Sequence, residues 1–204
     1  MTQNQQETPT VFIVDDDPAI RFAMQALMDS VNIEHEIYSS GDEFLESVDD
    51  HRAGCLVLDI RMPGLGGLEL QEELIKRDST LPIIFITGHG DVPMAVDAMQ
   101  KGAVDFIQKP FRDQDLLDRI REPLKTDAER REEQQKHAEV AERLDRLTNR
   151  EREVFDLVVT GKPNKVIASE LGVSQRTVEI HRARVMEKMQ ARSLADLVKM
   201  HMTA

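Results

Sequence analysis

The chain has no tryptophan, one tyrosine and one cysteine among its 204 residues. A single thiol, Cys55, cannot close an internal disulfide, so a small disulfide-stapled secreted fold is excluded. No apolar run approaches the roughly 20 residues that a membrane-crossing helix needs. The opening MTQNQQETPT lacks the basic and apolar blocks of a secretory signal. These absences set the expectation of a cytoplasmic protein with no membrane partner. Aromatic residues make up 4% of the chain, too few to interleave with cations as a platform for stacking single-stranded bases. His35, His51, His89, His137, His181 and His201 are scattered without metal-ligand spacing, so zinc is not expected.

What is present is a core-forming composition, 40% hydrophobic and 31% charged, with a net charge of −12. That charge is uneven. Residues 1–122 hold 10 Lys/Arg against 24 Asp/Glu, whereas residues 148–204 hold 10 against 7. An acidic body followed by a mildly basic tail points to two domains with different partners.

Short apolar runs alternate with helical patterns through the body. Val11–Val14, Glu36–Tyr38, Cys55–Leu58, Ile83–Ile86 and Val104–Ile107 read as strands. Helices are predicted after each: from Pro18, over Ser40–Val48, over Leu68–Ile75, over Asp91–Lys101 and over Asp113–Arg121, the last stopped by Pro123. Five strands alternating with five helices make an α/β fold, a parallel sheet covered on both faces. Ligands of such sheets bind beyond the carboxyl ends of the strands. Residues 124–147 are rich in Glu, Arg, Gln, Lys and Ala and read as a solvated helical linker, with a short coiled-coil contact as the alternative. Residues 148–204 read as four short helices. The capping pairs Thr148-x-x-Glu151 and Ser193-x-x-Asp196 open the first and last, and Ser174 opens the third.

Several polar residues end the predicted strands. Asp15 and Asp16 follow the first strand, Asp59 the third, Thr87 the fourth and Lys109 the fifth. Three clustered carboxylates repel one another unless a cation joins them. An all-oxygen set beside solvent suits Mg²⁺. A carboxylate next to it can accept a phosphoryl group, whose oxygens a hydroxyl and an ammonium then hold. Taken singly, these residues have plainer readings. Asp17-Pro18 is a good helix opening, Asp59 a turn residue, Lys109 a surface charge and Cys55 packing. Their joint position on one rim favours the chemical reading.

The blocks Val14-Asp15-Asp16-Asp17, Leu58-Asp59-Ile60-Arg61-Met62-Pro63-Gly64, Ile86-Thr87-Gly88-His89-Gly90-Asp91-Val92-Pro93 and Phe106-Ile107-Gln108-Lys109-Pro110-Phe111 resemble a response-regulator receiver domain. The resemblance implies a flavodoxin-like fold with strand order 2-1-3-4-5. It makes Asp59 the phosphoacceptor. Asp16, Asp59 and the Arg61 carbonyl become Mg²⁺ ligands, with Asp15 helping through water and Mn²⁺ able to substitute. Thr87 and Phe106 become a switch pair, Lys109 binds the phosphoryl oxygens, and Lys109-Pro110 is expected to be cis. The competing reading of Phe106 is fixed core.

In the tail, Asn164–His181 reads as helix, glycine-containing turn, helix: the helix-turn-helix unit, whose second helix enters the DNA major groove. Val178, Val185 and Met189 should face the core. Arg176, Glu179, Ile180 and Ala183 point toward base edges, and Lys165, Thr177, Arg182 and Arg184 toward phosphates. Glu179 either accepts from a cytosine amine or pairs with Arg176 or Arg182. His181 is either a satisfied core residue or a DNA contact. Leu147-Thr148-x-Arg150-Glu151-x-Glu153-Val154, Asn164-Lys165-x-Ile167-Ala168 and Thr177-Val178-Glu179-x-His181 resemble the LuxR-type DNA-binding domain, and the pair of domains resembles the FixJ/NarL-type regulators. Within that resemblance Asn164, Lys165, Arg176, Thr177 and His181 match positions that contact the DNA backbone.

The expected division is therefore a receiver over 10–122, a helical linker over 123–146 and a four-helix DNA-binding domain over 147–203. The implied function is a phosphorylation-activated transcription regulator, not an enzyme beyond its own phosphorylation and dephosphorylation. The implied partners are a sensor histidine kinase, double-stranded promoter DNA, a second copy through the 91–107 face, and RNA polymerase. Two other readings compete. One is an Mg²⁺-dependent phosphatase of the haloacid-dehalogenase kind using Asp15-x-Asp17. The other is a binding protein whose tail meets RNA or protein. Whether the unphosphorylated receiver masks the tail or is simply monomeric stays open.

Overall fold

A computed structural model of the chain describes residues 8–47, 52–88 and 92–203. Val48, His51, His89, Gly90 and Asp91, which the expectations above include, lie outside the described residues. The chain divides into two compact units, Met1–Arg131 and Glu132–Ala204.

The first unit is a parallel sheet in the order β2-β1-β3-β4-β5. Its strands are β1 (Thr10–Val14), β2 (His35–Tyr38), β3 (Gly54–Asp59), β4 (Ile83–Thr87) and β5 (Asp105–Gln108). Side chains alternate between two cores because strand residues point to opposite faces in turn. Phe12, Val14, Leu56, Leu58, Ile83 and Phe85 face α2 (Gly41–Ser47), α3 (Gly67–Lys76) and α4 (Val92–Gln100), where Phe44, Leu70, Leu74, Ala95 and Ala98 meet them. Val11, Ile13, Cys55, Val57, Ile84 and Ile86 face α1 (Pro18–Ser30) and α5 (Asp113–Asp145), meeting Met24, Met28, Leu116, Leu117 and Ile120. β1, β3 and β4 are buried on both faces, which is why they read as unbroken apolar runs. The helices stack on the faces, so the carboxyl rim of the sheet is left to the loops.

One expectation needs correction. The helix that begins at Asp113 does not stop at Pro123 but runs to Asp145 with Pro123 inside it. Proline removes one backbone hydrogen bond and costs about 3 kcal/mol in a helix interior. Tertiary contacts beyond the proline offset this: Leu124 packs on the α1/α5 core and Asp127 is buried. Ion pairs one turn apart, such as Lys136–Glu132 at 2.6 Å, support the polar stretch. Residues 132–139 are all exposed, as a solvated linker requires, but Val140 and Leu144 are not. They are buried in the core of the second unit.

That unit packs the last turns of α5 with α6 (Asn149–Val159), α7 (Asn164–Leu171), α8 (Gln175–Lys188) and α9 (Leu194–Thr203). Val154, Phe155, Val158, Ile167, Ala168, Val178, Val185, Met189 and Leu197 form its interior. The capping box at Thr148 and Glu151 is present, and Ser174 caps α8 by accepting the Thr177 N–H. Gly172 ends α7 at φ 66°, a left-handed turn that a side chain would strain. This turn sets α8 against α7.

Candidate functional site

The carboxyl rim brings the expected residues together. β1 ends at Val14 and β3 at Asp59, adjacent and in register, so Asp15 and Asp59 stand side by side. Lys109 is placed by its backbone N–H, which donates to the Thr87 carbonyl at 2.8 Å, and its peptide bond to Pro110 is cis. Its Nζ donates to Asp59 Oδ1 at 2.6 Å and to Asp15 Oδ2 at 2.8 Å. The second Asp59 oxygen accepts the Arg61 N–H at 2.7 Å. The second Asp15 oxygen accepts the Asp17 N–H at 2.9 Å.

Asp15 is 1% and Asp59 7% exposed, so both charges are held out of water. Burial pushes the Asp59 carboxyl up; the Lys109 hydrogen bond and charge pull the other way, the Asp15 charge adds to the rise, and the net is upward. Burial lowers Lys109, but its hydrogen bonds to Asp15 and Asp59 more than offset that and leave it above the usual lysine range. One ammonium therefore serves two carboxylates, and the pair stays short of positive charge.

Asp16 is exposed. Among the described residues no group of three or more His, Cys, Asp or Glu is assembled to hold a metal. Thr87 is buried, and its hydroxyl donates to the Gly88 carbonyl at 2.9 Å. Phe106 is half-buried and packs on the core beside α2, α3 and α4. Asp17 caps α1, accepting the Ala19 N–H at 2.8 Å.

Arg21 escaped the sequence reading. Its Nη1 donates to the Asp15 carbonyl at 2.6 Å, so a helix side chain one turn beyond the cap steadies the strand end. The signal was present, since Arg21 lies four residues after Asp17 and so faces back along the helix.

The tail presents a second surface. On α8, Arg176, Glu179, Ile180, Ala183 and Arg184 are exposed, as is Lys165 on α7, while Val178, Val185 and Met189 are buried. Ile180 keeps 48% of its surface in water. Arg182 and Asn164 are half-buried and joined, with Nη1 donating to Oδ1 at 2.7 Å. Glu179 makes no ion pair with Arg176 or Arg182. Thr177 and His181 are half-buried, and His181 Nδ1 is buried without a hydrogen-bond partner. The two charge-bearing sites thus lie in separate units, an acidic pocket in one and an exposed basic helix in the other.

Comparison with known proteins supports both halves. Residues 11–121 match the response regulator receiver domain, and residues 145–201 match the LuxR family of bacterial regulatory proteins. Nodulation protein W of Bradyrhizobium diazoefficiens is 49% identical over 193 residues, covering 95% of this chain and 85% of that protein. Transcriptional regulatory protein FixJ of Azorhizobium caulinodans is 43% identical over 198 residues, covering 97% and 94%. Among solved structures, the response regulator StyR aligns with TM-score 0.89 at 44% identity, covering 97% of this chain and all of that one.

Proposed function

The chain belongs to the FixJ/NarL-type two-component response regulators, transcription regulators that join a receiver to a LuxR-type DNA-binding domain, and we propose that Asp59 is the residue its kinase phosphorylates. A sensor histidine kinase and DNA are the partners this family implies. The observation that carries the proposal is the shared hold of Lys109 on Asp15 and Asp59. It leaves an anionic nucleophile beside a cation already placed for phosphoryl oxygens.

In the transfer, an Asp59 carboxylate oxygen forms a bond to phosphorus as the phosphorus–nitrogen bond of the kinase phosphohistidine breaks. The histidine keeps the electron pair. Receiver domains bind Mg²⁺ for this step, and the donors present fit it. Asp15, Asp16, Asp59 and the Arg61 carbonyl are all oxygen ligands, the hard set that Mg²⁺ prefers, and Mn²⁺ would serve similarly. The ion's contribution is to neutralise charge on the transferring group.

Phosphorylation adds about −1.5 to −2 of charge and new acceptor oxygens. Lys109 holds one of these. Thr87 gives up the Gly88 carbonyl and turns its hydroxyl to another. The space it leaves lets Phe106 move inward, and the 91–107 face changes. Val96, Met99 and Val104 expose apolar surface there, which supports pairing of two copies. The receiver work belongs to 10–122, the DNA work to 147–203, and 123–146 joins them. On DNA, Lys165, Arg176 and Arg184 serve phosphates while Glu179, Ile180 and Ala183 face base edges. Asn164, Thr177, His181 and Arg182 add backbone contacts. Two weakly basic tails bind well only together, so phosphorylation promotes promoter binding and, with RNA polymerase, activation in the cytoplasm.

The test is promoter-DNA affinity with and without a phosphoryl donor, for the wild-type chain and Asp59→Asn. Phosphorylation should tighten only the wild type. Equal affinities throughout would refute the scheme.

A further inference from the structure

β3 carries Asp59 at its last residue and Gly54 at its first. The far end is as heavily built as the acidic rim. Gly54 lies at φ 144°, and a Cβ there would stand 1.8 Å from the Thr10 carbonyl oxygen, so no other residue fits. Its N–H donates to Asp127 Oδ2 at 3.0 Å across 73 positions of sequence. Arg131 Nε donates to the same oxygen at 2.7 Å, and Arg130 to the other. Arg131 also donates to the Arg52 carbonyl. The Arg52 guanidinium in turn pairs with Glu36 at 2.7 Å and lies over the Phe12 ring. Asp127 is 2% exposed.

A buried carboxylate is tolerated only where donors satisfy it. Here the donors come from the amino end of β3, the central strand, and from the carboxylate's own helix. Arg130 and Arg131 travel with the helix, but it cannot turn about its axis, or lift away, without stranding the buried Gly54 N–H and breaking the Arg131 bond to the Arg52 carbonyl. Pro123 would otherwise be the weak point of α5, since one backbone bond is missing there. Four residues later the chain is fastened again.

We propose that Asp127 is a positioning residue: it locks the part of α5 beyond Pro123 onto the amino-terminal edge of the sheet, so that a change at the phosphoacceptor end of β3 is carried by a stiff helix as far as Arg131. This rests on the proposed role of Asp59. Without the lock the receiver still takes phosphate and the tail still binds DNA, but the first no longer governs the second.

The experiment uses the full chain as wild type, Asp127→Ala and Asp127→Asn, the last retaining an acceptor for the Gly54 N–H. Three quantities are read: phosphorylation by acetyl phosphate on a phosphate-affinity gel, amide hydrogen exchange over 124–131, and affinity for a duplex selected from a random-sequence pool by the phosphorylated wild type. Phosphorylation should be unchanged in all three proteins. Exchange over 124–131 should quicken by about tenfold or more in Asp127→Ala, and less in Asp127→Asn. The gain in affinity on phosphorylation should shrink by about fivefold or more. Unchanged exchange in Asp127→Ala would overturn the lock. Faster exchange with an undiminished gain would overturn the coupling. If wild-type affinity ignores phosphorylation, the functional reading and the coupling fall together, while the exchange data still decide the lock.

Discussion

Glu151 is the place where acid should undo the DNA-binding unit. Its carboxylate accepts the Thr148 N–H at 2.9 Å and the Lys188 ammonium at 2.6 Å, so it ties the start of α6 to the end of α8. Lys188 also donates to the Arg146 carbonyl at 3.0 Å. The hydrogen bond from Lys188, then that from the Thr148 backbone, hold the Glu151 carboxyl down to about 2 from an ordinary 4.5. A lowered acid stabilises the fold fully above its ordinary value and loses that contribution as pH falls toward its folded value. At ~1.4 kcal/mol per pH unit the upper bound is about 3 kcal/mol. The Lys188 side chain is one-third exposed, so solvent screening reduces this to about 2 kcal/mol.

Glu151→Gln keeps an acceptor for the Thr148 N–H and loses the charge. It should therefore cost the second unit about 2 kcal/mol at neutral pH. The loss should shrink as the pH of the comparison falls from 4.5 toward 2. Urea unfolding followed by far-ultraviolet circular dichroism measures this. Tyr38, the single tyrosine in a chain without tryptophan, reports the first unit alone and should show no change. Equal stability of the two proteins at neutral pH, or an equal loss at every pH, would refute the reasoning.

Three further outcomes are expected. Asp59→Asn should abolish phosphorylation and raise the urea midpoint seen by Tyr38, because burial makes the ionised carboxylate unfavourable in the fold. Lys109→Met should leave Asp15 and Asp59 without their shared cation and destabilise the first unit by about 3 kcal/mol at neutral pH, read by the same fluorescence. Arg176→Ala should weaken DNA binding about equally across sequences and flatten its salt dependence by about one phosphate contact, measured by titration at several ionic strengths.

The sheet was legible because β1, β3 and β4 are short, apolar and punctuated. The acidic rim was legible because strand ends in such a sheet converge whatever the helices do. Helix caps at Asp17, Thr148 and Ser174 were legible because capping is local. Asp127 was not. It stands in a run of Glu, Arg, Lys and Ala where one acid looks like any other, and its partner Gly54 is 73 positions away. The proline looked like an end because local chemistry says so, and only contacts made after it keep the helix going. Arg21 lay between these cases, since its direction followed from helix geometry but its acceptor was a backbone carbonyl that no side-chain pattern marks.

Cys55 follows Gly54 in β3 and is wholly buried, its thiol pushed up to about 12 first by burial and then by the Asp127 charge. A thiol in that state does not react with alkylating reagents. Modification therefore waits until the strand is released, and its rate counts how often that happens. The unaltered protein contains its own clock for the breathing of its central strand, one residue from the helix lock and four from the phosphoacceptor.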